Sequence, residues 1–172
     1  MIHLILGGIK SGKTAFALET VNNLSKEKKL NKTYLATSNI FDEEMQEKVD
    51  KHKQERNETW KNIEEPINIA EIIKKNNSDN IVLLDCISMW LANLLLKELD
   101  IEKHTAELIN TLKSTKSDII IVSNEVGRSL VSENKLGRKF QNEQGLLNQK
   151  ITSVANKVDL VIAGLTLNLK GE

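Results

Sequence analysis

Eight residues near the N-terminus have the types and the spacing that bind the phosphates of a nucleotide. They are Gly7, Gly8, Ile9, Lys10, Ser11, Gly12, Lys13 and Thr14. They match the pattern G-x-x-x-x-G-K-[ST] and stand between an apolar run and an amphipathic run, as that pattern requires. The glycines let backbone N–H groups turn inward around phosphate oxygens, and the start of a helix adds partial positive charge. The pattern predicts that Lys13 bridges the β and γ phosphates and that Thr14 holds Mg²⁺. The alternative is a glycine turn followed by a chance Gly-Lys-Thr, and the flanking strand and helix favour the phosphate site.

A second acidic group near the metal is predicted at Asp85. Residues 81–84 are all apolar, and Asp85 follows them at the predicted carboxyl end of a strand, where α/β sheets place their sites. The arrangement resembles a Walker B element. The alternative is that Asp85 only caps the next helix.

A third candidate is His52, which lies in a heavily charged segment. On a predicted helix over residues 42–56, Met45, Val49, His52 and Arg56 are spaced by four, three and four residues and form one stripe. A packed, hydrogen-bonded histidine is the simpler interpretation. A neutral imidazole can also attack phosphorus and form a covalent intermediate, and a neighbouring guanidinium can steady the charge on the transferring group.

The remaining pattern alternates between strands and helices. Strands are predicted at 2–6, 32–37, 80–86, 118–124 and 159–164, with a possible edge strand at 165–170. Helices are predicted at 13–27, 42–56, 67–75, 88–99, 102–115 and 143–157. Apolar runs between amphipathic helices predict one α/β domain over residues 1–172, in which a mostly parallel sheet is covered by helices on both faces. Residues 156–159 spell N-K-x-D, a guanine-binding pattern of regulatory GTPases, but they follow a helix and precede a strand, so we expect a helix end and a turn.

Composition narrows the class of protein. The chain has 172 residues, and its 24 basic and 24 acidic side chains give no net charge, which argues against a nucleic-acid partner. The single cysteine, Cys86, excludes an internal disulfide and fits a reducing cytoplasm. No signal peptide or membrane-inserting run is expected.

Several longer segments, in a fixed order, resemble the bifunctional adenosylcobinamide kinase / adenosylcobinamide-phosphate guanylyltransferase family. The segments are 7–14, 34–56, 59–66, 83–95 and 122–151, together with "LK" near the end of the chain. "SNEVG" at 123–127, followed by "LGRKF" and "NQ", distinguishes this family from other kinases. The resemblance implies a RecA-like P-loop NTPase fold and a homotrimer. It also implies two reactions in cobalamin biosynthesis: phosphorylation of adenosylcobinamide with ATP or GTP, and transfer of GMP from GTP to the resulting phosphate through a covalent GMP–histidine, with release of pyrophosphate.

The same resemblance implies roles for individual residues. His52 would carry GMP, and Lys13 and Arg56 would assist catalysis. Nucleotide contacts would come from residues 7–14 and from Ala36, Thr37, Ser38, Lys53, Gln54, Glu55, Arg56, Glu64 and Asp85. The chain departs from the family pattern at Ser132, where proline is frequent, and at Asn142, where aspartate is frequent.

Two other classes of function remain open from the residues alone. A single-function P-loop kinase for another small metabolite explains Lys13, Thr14 and Asp85 but gives no role to His52, Arg56 or "SNEVG". A nucleotide-binding regulator or motor ATPase would need a switch motif, and we find none in the sequence. Segment 123–140 is the candidate border of the corrinoid site. The apolar run 89–96 is a candidate subunit interface, although burial within the fold explains it equally well.

Overall fold

Seven strands build the core of the protein. The computed structural model describes residues 1–38, 59–127 and 129–171. Its strands are β1 (Ile2–Gly7), β2 (Asn31–Ala36), β3 (Trp60–Glu64), β4 (Asn80–Asp85), β5 (Asp118–Asn124), β6 (Lys157–Ile162) and β7 (Leu165–Lys170). Its helices, numbered among the described residues, are α1 (Lys13–Lys28), α2 (Ile69–Lys74), α3 (Ile87–Leu96), α4 (Ile101–Ser114) and α5 (Lys135–Val154).

The strands form one sheet in the order β3-β2-β4-β5-β1-β6-β7. All neighbours are parallel except β6 and β7, which are antiparallel. Parallel strands without intervening hairpins need helical crossovers, and these cover the sheet. The predicted α/β class, with a mostly parallel sheet and helices on both faces, is confirmed.

Alternation along each strand divides the core into two layers. Ile119 and Ile121 of β5 pack into the layer that contains α2, α3, α4 and α5. Ile120 and Val122 point to the opposite layer, which contains α1. Every residue of β1 is buried, as expected for a central strand covered on both faces. The side on which a strand-end residue points is therefore fixed by counting along its strand.

The edge strand β7 is the least covered element of the sheet. All six of its residues are exposed, and Leu165, Leu167 and Leu169 are 76%, 56% and 53% exposed. On its other face, Asn168 Nδ2 donates to Asp159 Oδ1 at 2.9 Å. The sequence prediction of an edge strand at 165–170 is confirmed.

Three sequence predictions need correction. The helix predicted at 143–157 is α5, which begins earlier, at Lys135, and ends at Val154. The side chain of Asn134 caps it by accepting from the N–H groups of Leu136 and Gly137. Residues 156–159 were expected to be a helix end and a turn before a strand at 159–164, but the strand, β6, already begins at Lys157 and ends at Ile162. Strand β3 was not predicted, because Lys61, Asn62 and Glu64 interrupt the segment and it lacks the continuous apolar run of the other strands.

The apolar run 89–96 is explained mainly by the fold. Trp90, Leu91 and Leu94 are at most 1% exposed and belong to the main core cluster. Met89 and Ala92 are half-buried, and Leu96 is 60% exposed. Burial within the chain, rather than a subunit interface, accounts for most of this run. The helix predicted at 42–56 lies outside the described residues.

Candidate active site

The predicted phosphate-binding loop lies between the carboxyl end of β1 and the start of α1. Gly12 adopts φ 97°, in the left-handed region, and its carbonyl accepts the N–H of Phe16 at 3.0 Å. A left-handed backbone is costly for a residue with a Cβ, so glycine suits this position. The loop therefore delivers the amino end of a 16-residue helix to the carboxyl edge of the sheet, which is a ready anion-binding arrangement.

Close contact with the sheet fixes the first glycine of the loop. A Cβ built on Gly7 would overlap Ser11 Oγ and would lie 2.8 Å from the backbone oxygen of Val161. Further along the loop, the N–H of Gly164 donates to the carbonyl of Ser11 at 2.8 Å. The loop is thus held against the end of β6 and the turn that follows it.

Lys13 is placed to hold negative charge inside this loop. Its Nζ donates to the carbonyl of Gly8 at 3.0 Å, and the side chain is partly buried. Burial lowers the pKa of the Lys13 ammonium, while the negative charge of Asp85 opposes that change. A partly desolvated ammonium of this kind is suited to binding a phosphate.

Strand register places three predicted residues in one row. Ala36 is opposite Glu64 on β3 and opposite Asp85 on β4. All three side chains point toward the layer of α1, because residues an even number of positions apart on a strand share a face. Tyr34 precedes Ala36 by two residues, Leu83 precedes Asp85 by two, and Trp60 precedes Glu64 by four. Tyr34, Leu83 and Trp60 all pack in the layer of α1. Glu64, Ala36 and Asp85 thus share the face of the sheet on which Lys13 begins its helix.

Asp85 has a partner that the sequence did not reveal. The hydroxyl of Tyr34 donates to Asp85 Oδ2 at 2.7 Å, and Tyr34 is 4% exposed. A charge-assisted bond of this kind fixes the orientation of the carboxylate. The signal in the sequence is the spacing of two residues between Tyr34 and Ala36, which puts both on one face, but it has no meaning until the register with β4 is known.

Cys86 does not provide a nucleophile. Burial raises the pKa of the Cys86 thiol to about 12, and the charge of Asp85 contributes to that rise. A thiol with that pKa remains protonated at neutral pH, so it is not activated for attack.

Thr37 links two strands at the same edge through hydrogen bonds to the backbone of Cys86. Its Oγ1 donates to the carbonyl of Cys86 at 2.6 Å and accepts the N–H of Cys86 at 3.1 Å. Asn93 Nδ2 in turn donates to the carbonyl of Thr37 at 2.7 Å. Thr37 is fully buried, so its hydroxyl joins the ends of β2 and β4.

The structure therefore brings together part of the predicted set. The loop from Gly7 to Thr14, Ala36, Thr37, Ser38, Glu64 and Asp85 all lie at the carboxyl edge of the sheet. His52, Lys53, Gln54, Glu55 and Arg56 lie outside the described residues.

An apolar groove of about 320 Å³ runs between α3 and the start of α5. It is lined by Ala92, Leu95, Leu96, Asn134, Leu136, Gly137 and Phe140.

A divalent cation would find few ready-made ligands here. Within the described ranges, no group of three or more His, Cys, Asp or Glu side chains could hold a metal. Of the oxygen groups at this edge, the Thr14 hydroxyl and the Asp85 carboxylate are the two predicted from the sequence to hold the metal, and both are hard ligands. This set fits Mg²⁺, which takes one or two protein oxygens and obtains its other ligands from phosphates and water.

Among the described helices, none combines the length and apolarity needed to cross a membrane.

Comparison with known sequences points to one family. The profile of a family described as cobinamide kinase / cobinamide phosphate guanyltransferase matches residues 3–169. The bifunctional adenosylcobalamin biosynthesis protein CobP of Pseudomonas aeruginosa is 36% identical, with 100% of this chain and 99% of the relative covered. The corresponding protein CobU of Escherichia coli is 31% identical, with 99% and 100% covered.

Comparison with solved structures supports the fold. The flagellar accessory protein FlaH of Methanocaldococcus jannaschii superposes with a TM-score of 0.56 at 14% identity, over 99% of this chain and 78% of that protein. A second solved structure, an ATPase domain, gives a TM-score of 0.50 at 16% identity, over 92% of this chain and 68% of that domain. The expected P-loop NTPase fold is confirmed.

Proposed function

Since the chain belongs to the cobinamide kinase / cobinamide phosphate guanyltransferase family, we propose that it catalyses two successive reactions on adenosylcobinamide. In the first, ATP or GTP phosphorylates the hydroxyl of the aminopropanol arm. In the second, GMP passes from GTP to that phosphate, giving adenosyl-GDP-cobinamide and pyrophosphate. The observation that carries the proposal is the placement of Lys13, Asp85 and Glu64 on one face of one sheet edge, in a chain that matches the family over nearly its whole length.

In the kinase step, the loop of residues 7–14 holds the triphosphate. Lys13 supplies a positive charge to the β and γ phosphates, and backbone N–H groups at the start of α1 supply further donors. Mg²⁺, when bound, offsets charge on the transferring phosphoryl group. Thr14 and Asp85 would hold it, and the Tyr34 hydroxyl keeps the Asp85 carboxylate in place.

In the transfer step, His52 would act as the nucleophile. A ring nitrogen attacks the α phosphorus of GTP, the bond to the oxygen that bridges to the β phosphorus breaks, and pyrophosphate leaves. A phosphate oxygen of adenosylcobinamide phosphate then attacks the same phosphorus, and the phosphorus–nitrogen bond breaks. The unperturbed imidazole pKa, about 6.5, leaves much of the group neutral at cytoplasmic pH, and Arg56 would pair with phosphate charge.

The decisive experiment detects the covalent intermediate. The protein is incubated with GTP and Mg²⁺, and intact mass and peptide mass spectrometry locate the added GMP. We expect one GMP on His52, in an adduct that is labile in acid and stable in base, as a phosphoramidate is. His52→Ala should abolish the adduct and GMP transfer but retain phosphorylation of adenosylcobinamide.

His104→Ala is the matched control, because His104 lies on α4 and has no role in the proposal. It should form the adduct like the wild type. An adduct on another residue, or GMP transfer by His52→Ala, would contradict the assignment. Phosphorylation without any adduct in the wild type would instead favour a single-function kinase.

Assembly and location complete the proposal. We propose a homotrimer in the cytoplasm, where the nucleotide substrates are found, with segment 123–140 bordering the corrinoid. Multi-angle light scattering tests the trimer, and a monomer at micromolar concentration would refute it.

A further inference from the structure

The side chain of Asn124 lies at the same edge, at the start of the segment proposed to border the corrinoid, and it has no part in the nucleotide binding described above. Asn124 is the last residue of β5, between the strand that ends at Asp85 and the strand that leads into the phosphate loop. We propose that its carboxamide is a further ligand of the nucleotide site, where it contacts the phosphate end of the nucleotide together with its cation. This inference rests on the proposed binding of a nucleotide by residues 7–14.

Register and alternation place Asn124 toward the phosphate loop. It is opposite Gly7, the first residue of that loop, and two residues beyond Val122, which is opposite Asp85. Val122 packs in the layer of α1, and residues two apart share a face. The Asn124 side chain is therefore on the same face as Asp85 and the start of α1.

The main chain around Asn124 is held from three directions. Its N–H donates to Ser88 Oγ on α3 at 2.9 Å, and its carbonyl accepts from Asn148 Nδ2 on α5 at 3.2 Å. The next N–H, that of Glu125, donates to the carbonyl of Gly7 at 3.1 Å. The position of the carboxamide relative to the loop is thus fixed before any ligand arrives.

A network of uncharged side chains on the opposite face supports this position. Ser123 Oγ donates to Asn148 Oδ1 at 2.6 Å, and Gln144 Nε2 donates to both at 3.0 Å. Gln144 is fully buried and Asn148 is 7% exposed. Buried amides that bond to one another confine the end of β5 to one arrangement.

The oxygen of the carboxamide lacks a partner. Among the described residues, Asn124 Oδ1 and Ser11 Oγ are two of the three buried side-chain atoms without a hydrogen-bond partner; the third, Gln144 Oε1, belongs to the network on the opposite face. Both border Gly7: Asn124 by register, and Ser11 by the overlap that a Cβ on Gly7 would create. Buried polar atoms without partners are rare because they lose hydration without compensation. Two of them beside one phosphate loop indicate groups that are completed by a ligand, and an amide oxygen requires a donor or a cation.

The test measures binding rather than turnover. Isothermal titration calorimetry with GTP carrying a methylene bridge between the α and β phosphorus atoms avoids guanylylation of the protein. Dissociation constants are measured with Mg²⁺ and with EDTA for the wild type, Asn124→Ala, Asn124→Asp, Lys13→Ala and the control Asn142→Ala. Asn142 lies on α5 and is exposed to solvent.

We expect Asn124→Ala to weaken binding about tenfold with Mg²⁺ and less with EDTA, because the contact includes the cation. Asn124→Asp should bind better than Asn124→Ala with Mg²⁺ and worse with EDTA, since its added charge attracts the cation and repels bare phosphates. Asn142→Ala should match the wild type. The two dissociation constants of a variant, with Mg²⁺ and with EDTA, are measured on the same protein preparation. A partial loss of folded protein would affect both measurements alike and would not change their ratio.

Two results would overturn different statements. If Lys13→Ala weakens binding while Asn124→Ala stays within about twofold of the wild type, or loses affinity equally with Mg²⁺ and EDTA, the inference about Asn124 is wrong and the nucleotide site stands. If Lys13→Ala binds like the wild type, the proposed nucleotide site itself is wrong.

Discussion

Replacing Gly7 by alanine tests the contact between the phosphate loop and the sheet. The new Cβ would lie 2.8 Å from the backbone oxygen of Val161, whereas a carbon–oxygen contact is comfortable at about 3.3 Å. The overlap with Ser11 Oγ can be relieved by rotating that side chain, but the carbonyl belongs to β6 and cannot turn away. The start of the loop must therefore move by about 0.5 Å, the difference between these two distances.

Two measurements follow from this displacement. Overpacking of this kind costs about 1–3 kcal/mol, which corresponds to a fall in Tm of about 2–12 °C for a domain of this size. A shift of about half an ångström in a phosphate-positioning loop should lower kcat/KM of the kinase step on the order of tenfold. Differential scanning calorimetry and steady-state kinetics with adenosylcobinamide measure both.

Gly8→Ala is the matched control in the same loop. A Cβ on Gly8 has no atom within 4 Å, and Gly8 is not among the residues with positive φ. Its Tm should stay within about 1 °C of the wild type. An unchanged Tm in Gly7→Ala, or an equal loss in Gly8→Ala, would refute the argument from the Val161 contact.

Three further predictions concern other parts of the fold. Tyr34→Phe removes the bond to Asp85 and should lower the unfolding free energy by about 1.5–3 kcal/mol in urea titrations; Thr20→Val, which removes the bond to the Phe16 carbonyl on α1, serves as the comparison and should cost less. Gly145→Ala, where a Cβ meets no atom within 4 Å, should raise Tm by about 2–4 °C through helix propensity, and Gly137→Ala on the same helix, whose Cβ would lie 2.8 Å from Ser132 Cβ, should not. Burial lowers the pKa of His3, although the hydrogen bond to Asp159 opposes that change and Lys157 adds to it. The stability contributed by neutral His3 is therefore present above about pH 6.5 and declines as pH falls below that value. Urea titrations between about pH 5.5 and 7.5 should show this decline in the unfolding free energy, and a His3→Gln variant with the same pH dependence would contradict the prediction.

The sequence alone predicted those features whose residues are adjacent along the chain. The phosphate loop occupies eight consecutive residues, and Asp85 directly follows an apolar strand, so type and position could be predicted together. The strands predicted at 2–6, 80–86 and 118–124 are confirmed within one residue at each end, because continuous burial on both faces leaves an uninterrupted apolar run.

Features that depend on pairing could not be predicted in the same way. Tyr34 and Asp85 are 51 residues apart, and only the register of β2 with β4 brings them together. Strand β3 has a largely polar sequence and is recognised only by its pairing with β2. The early start of α5 had a local signal, the cap residue Asn134, but the polar first turns obscured it. The chemistry proposed for His52 and Arg56 stays a prediction from the sequence.

The uncovered strand β7 offers a way to separate folding from assembly. Because Leu165, Leu167 and Leu169 are each more than half exposed, replacing one of them with lysine should leave the intrinsic stability of a single chain almost unchanged. If such a variant lost thermal stability in a way that depends on protein concentration, the cause would therefore be a changed contact between copies of the protein and not a change within one chain. If copies of the chain associate through this edge, the Tm of such a variant should depend on protein concentration differently from that of the wild type, whereas equal Tm curves would place any contact between copies elsewhere.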